Sequence, residues 1–381
     1  MNQFQNQYNE VQELLQFNEI QQVIKRIIDF TLDTEQVDFY KKTVDFLNWF
    51  DVNEANTEEI KQKLTYLLDD LHQYLKEKKV ENHQKIISVA QLCKKYNTSF
   101  ELGPIDLEIK TGEIIGLVGE NGNGKTTLLR LICGELHPTD GKISYNFNYT
   151  DAYDLRSQLV YIPQRTNVWK GSMYENLEFA ASCYGYSAEE NNLLVDLVIT
   201  RLGLRKFKKY NWNGLSSGYK MRFELARMLL RKPKILLIDE PLANLDILAQ
   251  QTVLDDFRNI ANSAFRPMAM VLSSQQLYEV EKTSNQVLFL KNGKQKHLNQ
   301  SNENEQLPLI IELETNIGIT ELKNIFTSIQ LENIEQNGGT FILSFGSSTT
   351  MKMFLETLVK TDISVQYFRN ISQSTRRFFV N

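Results

Sequence analysis

The strongest constraint on this chain is a glycine-rich segment between an apolar run and a helical one. Gly119, Gly124, Lys125 and Thr126 have the spacing G-x-x-x-x-G-K-[ST], and the apolar residues 114–118 precede them. Glycines let consecutive backbone N–H groups turn toward phosphate oxygens, and the start of a helix adds a favourable dipole. A lysine charge and a threonine hydroxyl complete such a site. The pattern predicts a nucleotide site formed by Gly119, Asn121, Gly122, Asn123, Gly124, Lys125, Thr126 and Thr127.

A second motif places two carboxylates after another apolar run. Residues 235–238 are four aliphatic side chains in a row, and Asp239 and Glu240 follow them. A buried strand would deliver both carboxylates to the edge of a sheet, beside the phosphate loop. There Asp239 and the Thr126 hydroxyl would hold Mg²⁺, and Glu240 would polarise the attacking water, so ATP and Mg²⁺ are the expected cofactors. An ordinary core strand that ends in a capping aspartate is the alternative.

A third motif, Leu215-Ser216-Ser217-Gly218-Tyr219, lies between these two and precedes a helical run at residues 220–230. With this motif the sequence resembles the ATP-binding cassette (ABC) family, whose signature is usually Leu-Ser-Gly-Gly-Gln. The resemblance covers about residues 86–298. It implies that Ser216 and the Gly218 amide donate to a γ-phosphate held by a second cassette. Ser217 and Tyr219 depart from the family pattern, whereas the hydroxyl and the second glycine are retained.

Other landmarks follow the order of the family. Gln164 matches the glutamine that reaches the metal and the attacking water and that links ATP to a helical subdomain. Asp246 matches the loop that crosses the interface between two cassettes. Tyr96 matches the aromatic residue that stacks on adenine, and Phe100 is the alternative.

One departure concerns catalysis. The family normally places a histidine after the next strand to contact the γ-phosphate, and the matching position here is Gln275; no histidine lies between His137 and His297. Glutamine can donate a neutral hydrogen bond but cannot carry the charge of an imidazolium. We therefore expect ATP binding with slow hydrolysis.

The predicted domains follow from changes in the hydrophobic pattern. Residues 1–84 read as three amphipathic helices with acidic outer faces, since residues 1–85 carry 16 acidic and 10 basic side chains. Residues 86–298 alternate strands and helices, which favours a parallel α/β sheet, with a helical subdomain at about residues 165–232. Residues 299–306 are wholly polar and read as a linker. Residues 307–381 have the order β-α-β-β-α-β, a ferredoxin-like pattern.

Bulk properties exclude several classes. No stretch approaches about 18 uninterrupted apolar residues, so the chain is not expected to span a membrane alone. The first residues do not resemble a signal peptide, and three widely spaced cysteines do not indicate a disulfide framework. With a net charge of −5, no nucleic-acid partner is expected. We expect a cytoplasmic location, peripheral to the membrane through partner subunits.

The resemblance implies the ATPase subunit of an ABC transporter, which pairs with a second cassette and docks on separate permease subunits. Residues 171–186 and the small domain after the cassette are similar to exporters, so an exporter is expected. One alternative is a soluble ABC protein that acts as an ATP-gated switch. Another is a regulatory cassette with weak hydrolysis, which the glutamine at position 275 motivates.

Overall fold

The computed structural model of this chain describes residues 3–53, 56–80, 84–96, 100–275, 277–296, 308–361 and 363–372. The linker predicted at residues 299–306 lies outside the described residues. The chain divides into two compact units. The first comprises residues 1–275, 283–286 and 290–295, and the second comprises residues 276–282, 287–289 and 296–381.

Within the described part of residues 1–84 there are four helices, α1 (Gln3–Gln16), α2 (Ile20–Thr34), α3 (Val37–Phe50) and α4 (Thr57–Leu75). The prediction of three is wrong, because the apolar series at residues 11–28 belongs to two helices. Asn18 separates them with φ of 64°, a left-handed conformation that asparagine tolerates better than most residues. Val11 and Val23 on either side are both buried, so each helix has its own apolar face.

The expectation of acidic outer faces is wrong at two positions of α2. The side chains of Asp29 and Asp33 are only 14% and 3% exposed. Each pairs with an arginine from much later in the chain, Arg201 and Arg266 respectively. Helical periodicity locates polar positions but does not show which of them have a buried partner elsewhere in the fold.

The remaining elements of the first unit are six helices and seven strands within its described residues. The helices are α5 (Lys125–Ile132), α6 (Ala152–Gln158), α7 (Met173–Ser182), α8 (Ala188–Arg201), α9 (Ser217–Leu229) and α10 (Ile247–Ala261). The strands are β1 (Lys85–Lys95), β2 (Glu101–Lys110), β3 (Ile114–Val118), β4 (Asp140–Tyr145), β5 (Leu159–Ile162), β6 (Ile235–Ile238) and β7 (Ala269–Ser274). Residues of both units occur in α11 (Leu277–Thr283), β8 (Gln286–Lys291) and β9 (Lys294–Lys296).

An antiparallel sheet has the order β2-β1-β4. The assignment of residues 86–92 to the parallel series is therefore wrong, since they belong to β1. The connection from β1 to β2 is short, and a short connection permits only antiparallel pairing. Burial also alternates along β2, as expected of a strand with one face toward the core.

The predicted parallel sheet is confirmed for β5, β6, β7 and β3, which are neighbours in that order. All four strands are almost wholly buried. Their register pairs Val118 with Ser274 and Ile162 with Ile238. Because parallel strands end at one edge of a sheet, the loops after β3, β5, β6 and β7 emerge together there.

The predicted helical segment at about residues 165–232 contains α7, α8 and α9. Serine side chains cap all three: Ser172 in a capping box with Glu175, Ser187 on α8 and Ser216 on α9. Both α8 and α10 pack against α9. The helix that begins at the Leu215–Tyr219 motif also packs against α7, so three helices of the first unit hold it.

The second unit has β10 (Ile310–Thr315), α12 (Ile319–Phe326), β11 (Leu331–Asn337), β12 (Thr340–Phe345), α13 (Met351–Thr361) and β13 (Val365–Asn370). Its antiparallel sheet has the order β11-β12-β10-β13. Phe326, Phe345 and Phe354 are fully buried, with ring centroids 5.3 to 5.8 Å apart. This aromatic cluster holds α12 and α13 on the sheet.

Among the described residues, no helix is both long enough and apolar enough to cross a membrane.

Candidate nucleotide site

The glycine-rich segment forms a tight loop between β3 and α5. Gly122 and Gly124 have φ of 81° and 95°, a region that glycine enters without steric cost. Gly119 has another constraint, because a Cβ atom there would lie 2.5 Å from the carbonyl oxygen of Leu290. The loop is followed at once by the first turn of α5, where backbone N–H groups have no partner within the helix. This is the strand, loop and helix that the sequence predicts.

Lys125 lies inside this loop and is only 6% exposed. Its ammonium donates to the carbonyl oxygen of Gly119 at 2.7 Å. Lys125 Nζ also lies 3.3 Å from Glu240 Oε1, a buried ion pair between the loop after β3 and the loop after β6. A buried ammonium needs such partners, because burying a charge without one is costly.

Asp239 is 4% exposed and accepts hydrogen bonds from one helix, α5, and from two strands, β5 and β7. Thr126 Oγ1 donates to its Oδ2 at 2.6 Å, and Tyr161 donates to the same oxygen at 3.3 Å. Ser273 donates to Oδ1. Burial, and then the Asp239 carboxylate, raise the pKa of Tyr161, so its phenol stays protonated as a donor.

Glu240 is held in a left-handed backbone conformation, with φ of 52°. Its backbone N–H donates to Ser273 Oγ at 2.9 Å, and its Oε2 accepts from the backbone N–H of Gln275 at 3.3 Å. A non-glycine residue in this conformation carries strain, and such strain occurs preferentially at functional sites. The contacts orient the carboxylate toward the phosphate loop.

A pocket of about 270 Å³ opens at this edge of the sheet. It is lined by most of the loop from Glu120 to Thr127, by Asp239 and Glu240, and by Gln164 after β5. Most of the residues that the sequence predicts for the nucleotide site therefore lie around one pocket. Gly119 and Asn123 do not line the pocket. Asn123 Oδ1 instead accepts from the backbone N–H of Asn292 at 2.7 Å.

The aromatic residue of the pocket is Phe100 rather than Tyr96. Phe100 lines the pocket, and a Cβ atom on Gly124 would lie 3.1 Å from its ring. Tyr96 is 46% exposed, and its ring has the Lys94 ammonium 5.7 Å from its centre. Of the two candidates, Phe100 is the one beside the phosphate loop.

The Leu215–Tyr219 motif does not line this pocket. Leu215 is buried, whereas Ser216 and Ser217 are exposed at the start of α9. Tyr219 packs its ring on Phe207 at a centroid distance of 4.0 Å. A Cβ atom on Gly218 would lie 3.5 Å from Leu245, an ordinary contact distance, so Gly218 lies beside the neighbouring loop.

The Asp246 loop is tied to this motif within the same chain. Ser217 Oγ donates to the carbonyl oxygen of Asn244 at 2.7 Å. Asp246 caps α10, accepting from the backbone N–H of Ala249 at 2.8 Å. Gln250 donates to the carbonyl oxygens of Leu242 and Leu245. The signature-like motif and this loop thus form one exposed surface.

Sequence reasoning missed two residues that contact Asp239. Ser273 lies near the end of β7, and Tyr161 is the polar-tipped side chain in the otherwise aliphatic β5. A hydroxyl near the carboxyl end of a buried strand was the available signal, because such a group needs a hydrogen-bond partner. The register that makes Asp239 that partner is visible only in the fold.

Ser273→Ala should lower kcat for ATP hydrolysis about tenfold or more while changing KM little. The substitution leaves Asp239 Oδ1 and the Glu240 N–H without their hydroxyl partner, and an unmade buried hydrogen bond costs about 1–3 kcal/mol. Steady-state kinetics measure this effect, with Ser344→Ala on a strand of the second unit as the control. A kcat equal to that of the control would contradict a positioning role for Ser273.

Comparison with known proteins identifies the first unit. A family profile described as ABC transporter matches residues 102–243. An uncharacterized ABC transporter ATP-binding protein of Bacillus subtilis, YxlF, is 31% identical over 210 residues, which are 55% of this chain and 68% of that protein. The Fe(3+) ions import ATP-binding protein FbpC of Vibrio cholerae is 30% identical over 217 residues. That match spans 55% of this chain and 60% of FbpC.

One solved structure has the same fold over this region. CbiO1 from Clostridium perfringens, part of the ABC transporter complex cbiONQ, aligns with a TM-score of 0.52 and 25% identity. The alignment covers 56% of this chain and 87% of CbiO1. Together with the phosphate loop, the paired carboxylates and the signature-like motif, these matches show that the chain belongs to the ABC transporter ATP-binding proteins, a family of ATP hydrolases.

Proposed function

We propose that this chain is an ATP-hydrolysing subunit of an ABC transporter and that its nucleotide site is completed by a second cassette. The observation that supports this most is the convergence of Lys125, Thr126, Asp239 and Glu240 on one pocket. Backbone N–H groups of the loop would bind the β- and γ-phosphates, and Lys125 would neutralise part of their charge. Phe100 would face the base or the ribose, beside the loop.

The residues of the pocket suit Mg²⁺. Thr126 Oγ1 and Asp239 Oδ2 are 2.6 Å apart, so two oxygen atoms that could bind the ion lie side by side. Gln164 lines the same pocket and offers an amide oxygen. Mg²⁺ prefers oxygen ligands and is usually held by one or two carboxylates together with substrate phosphates. When bound, the ion would neutralise charge on the transferred phosphoryl group.

We propose that Glu240 orients the attacking water and accepts its proton. Its ion pair with Lys125 keeps both side chains at the pocket. A phosphate that competes for Lys125 would release the Glu240 carboxylate to orient water and accept its proton. The hydrogen bond from the Gln275 backbone N–H would keep Glu240 in place during this exchange. Binding of ATP would in this way prepare the site for hydrolysis.

We infer a second cassette because the signature-like motif does not line the pocket of its own chain. Ser216 and Gly218 lie at the start of a helix whose dipole and first-turn N–H groups favour an anion, with the Ser216 hydroxyl accepting from the Tyr219 N–H. Neither residue lines the pocket of its own chain. We propose that they contact the γ-phosphate held by the partner cassette, while the exposed Asp246 loop lies at the interface. The departures at Ser217 and Tyr219 leave the hydroxyl and the glycine in place.

A groove of about 590 Å³ in the helical segment is the proposed contact with permease subunits. It follows Gln164 directly in the chain and is lined by Arg165, Val168, Trp169 and Phe179 among others. Val168 and Phe179 are 65% and 73% exposed, and exposed apolar side chains grouped at a groove mark interaction sites.

We propose export as the direction of transport. Transport assays with the assembled complex test this direction.

Glu240→Gln should abolish turnover while ATP still binds, because the amide keeps the shape of the side chain but cannot accept a proton. Equilibrium binding of ATP and the rate of phosphate release measure the two effects. Glu189→Gln, on the exposed side of α8, is the matched control. If wild type and Glu240→Gln hydrolyse ATP equally slowly, the site does not turn over and the chain is a regulatory cassette.

Gln275→His should raise kcat with little change in ATP affinity. A charge-assisted contact to the γ-phosphate contributes about 1–3 kcal/mol, which corresponds to about 5- to 150-fold in rate. The gain should be largest below the imidazole pKa, about 6.5 for an unperturbed histidine. Turnover that is unchanged at every pH would show that position 275 does not limit the reaction.

Phe179→Asp should reduce co-purification with a multi-spanning membrane protein, because it places a charge in the apolar part of the groove. Tyr153→Asp, at a position that is 81% exposed and outside the groove, should leave co-purification unchanged. Both variants should retain the ATP affinity of the wild type. A stable complex with RNA in the absence of detergent would instead support a soluble ATP-gated switch.

A further inference from the structure

The N-terminal helices of the first unit share a buried charge network with the cassette. Arg201, the last residue of α8, is 1% exposed. Its Nε donates to Asp29 Oδ1 on α2 at 2.6 Å, and its Nη1 donates to Asp256 Oδ1 on α10 at 2.7 Å. One guanidinium therefore joins three helices that are far apart in sequence.

Two further cations of α2 complete the network. Lys25 Nζ lies 3.1 Å from Asp256 Oδ1, and Arg26 Nη1 lies 3.3 Å from Asp29 Oδ2. Burial opposes the charge of Arg201, but the carboxylates of Asp29 and Asp256 outweigh that effect and raise its pKa. Arg201 is thus a fixed cation whose position depends on both carboxylates.

A second ion pair, between the buried Asp33 and the partly exposed Arg266, holds the C-terminal end of α2 to the loop after α10. Asp33 Oδ1 accepts from Arg266 Nε at 2.8 Å, and Ser263 Oγ donates to the same carboxylate. Both partners lie between α10 and β7 in the chain. Consequently α2 is anchored to α8 at Asp29 and to the loop after α10 at Asp33.

Two of the helices joined by Arg201 are among the three that pack against α9, the helix of the signature-like motif; the third is α7. Both α8 and α10 pack against α9, and α9 begins at Ser217. The N-terminal end of α10 is capped by Asp246, which belongs to the exposed loop. Movement of α8 relative to α10 would break a buried ion pair, which is strongly destabilising when one partner is left alone.

We propose that α2 braces the cassette and that Arg201 is a positioning residue, which fixes α8 to α10 and so sets the signature-bearing helix α9 relative to the Asp246 loop. The inference rests on the proposed role of the signature-like motif. It assigns the acidic N-terminal helices to the cassette itself, as part of the structure that orients the motif toward a partner's nucleotide. The phosphate loop and Asp239 lie outside the network, so the brace should affect turnover rather than ATP binding.

The test is the kinetics of the nearly isosteric Asp29→Asn variant in the full chain. We expect kcat to fall about tenfold while KM and the equilibrium affinity for ATP stay unchanged. The control is Asp51→Asn, which removes another pair between the N-terminal helices and the α8 region: Asp51 lies 2.8 Å from Arg205 and is 48% exposed. The control should keep wild-type kcat, because exposed pairs contribute little.

A folded Asp29→Asn protein with kcat within about twofold of the control overturns the inference. If that variant does not fold, Lys25→Gln replaces it, since Lys25 is at the more exposed edge of the network at 28%. It should lower kcat about threefold at unchanged KM, and a value equal to the control again overturns the inference. A Ser216→Ala variant that hydrolyses ATP at the wild-type rate would instead overturn the proposed function.

Discussion

The nucleotide site depends on the hydrogen bonds that the Asp239 carboxylate accepts. It is almost fully buried and accepts hydrogen bonds from Thr126 after β3, Tyr161 on β5 and Ser273 on β7. A buried carboxylate without donors would be costly, so these hydroxyls and the parallel register that supplies them are mutually required. The same register places Glu240 beside Lys125, and the phosphate loop is thereby fixed to the acidic end of β6.

Much of the site was predictable because its motifs are local. The glycine spacing, the lysine and the threonine specify a strand, a loop and a helix within a short stretch of chain, and the aliphatic run before Asp239 specifies a buried strand. The long-range partners were not predictable in this way. Ser273 and Tyr161 carry no motif, and Phe100 rather than Tyr96 lines the pocket. Such choices depend on how loops meet in three dimensions.

The N-terminal region shows the same limit more strongly. Its composition indicated acidic helices, and four helices are present where three were expected. That Asp29 and Asp33 face inward could not be read from periodicity, since their partners lie more than 170 residues away. An acidic surplus that looks like a solvated surface is in part the counter-charge of two cassette arginines, the buried Arg201 and the partly exposed Arg266. The helices are accordingly integral to the first unit.

Under the proposed function these features are half of a composite site: one chain would hold the phosphates, while its exposed Ser216 helix start and Asp246 loop would face a partner. The most direct test is the mass of the Glu240→Gln protein in solution, measured by light scattering with and without ATP and Mg²⁺. The account predicts a doubling of mass with ATP that Ser216→Arg prevents. A chain that stays monomeric with ATP bound, and whose wild type hydrolyses ATP at a specific rate independent of protein concentration, would contradict it.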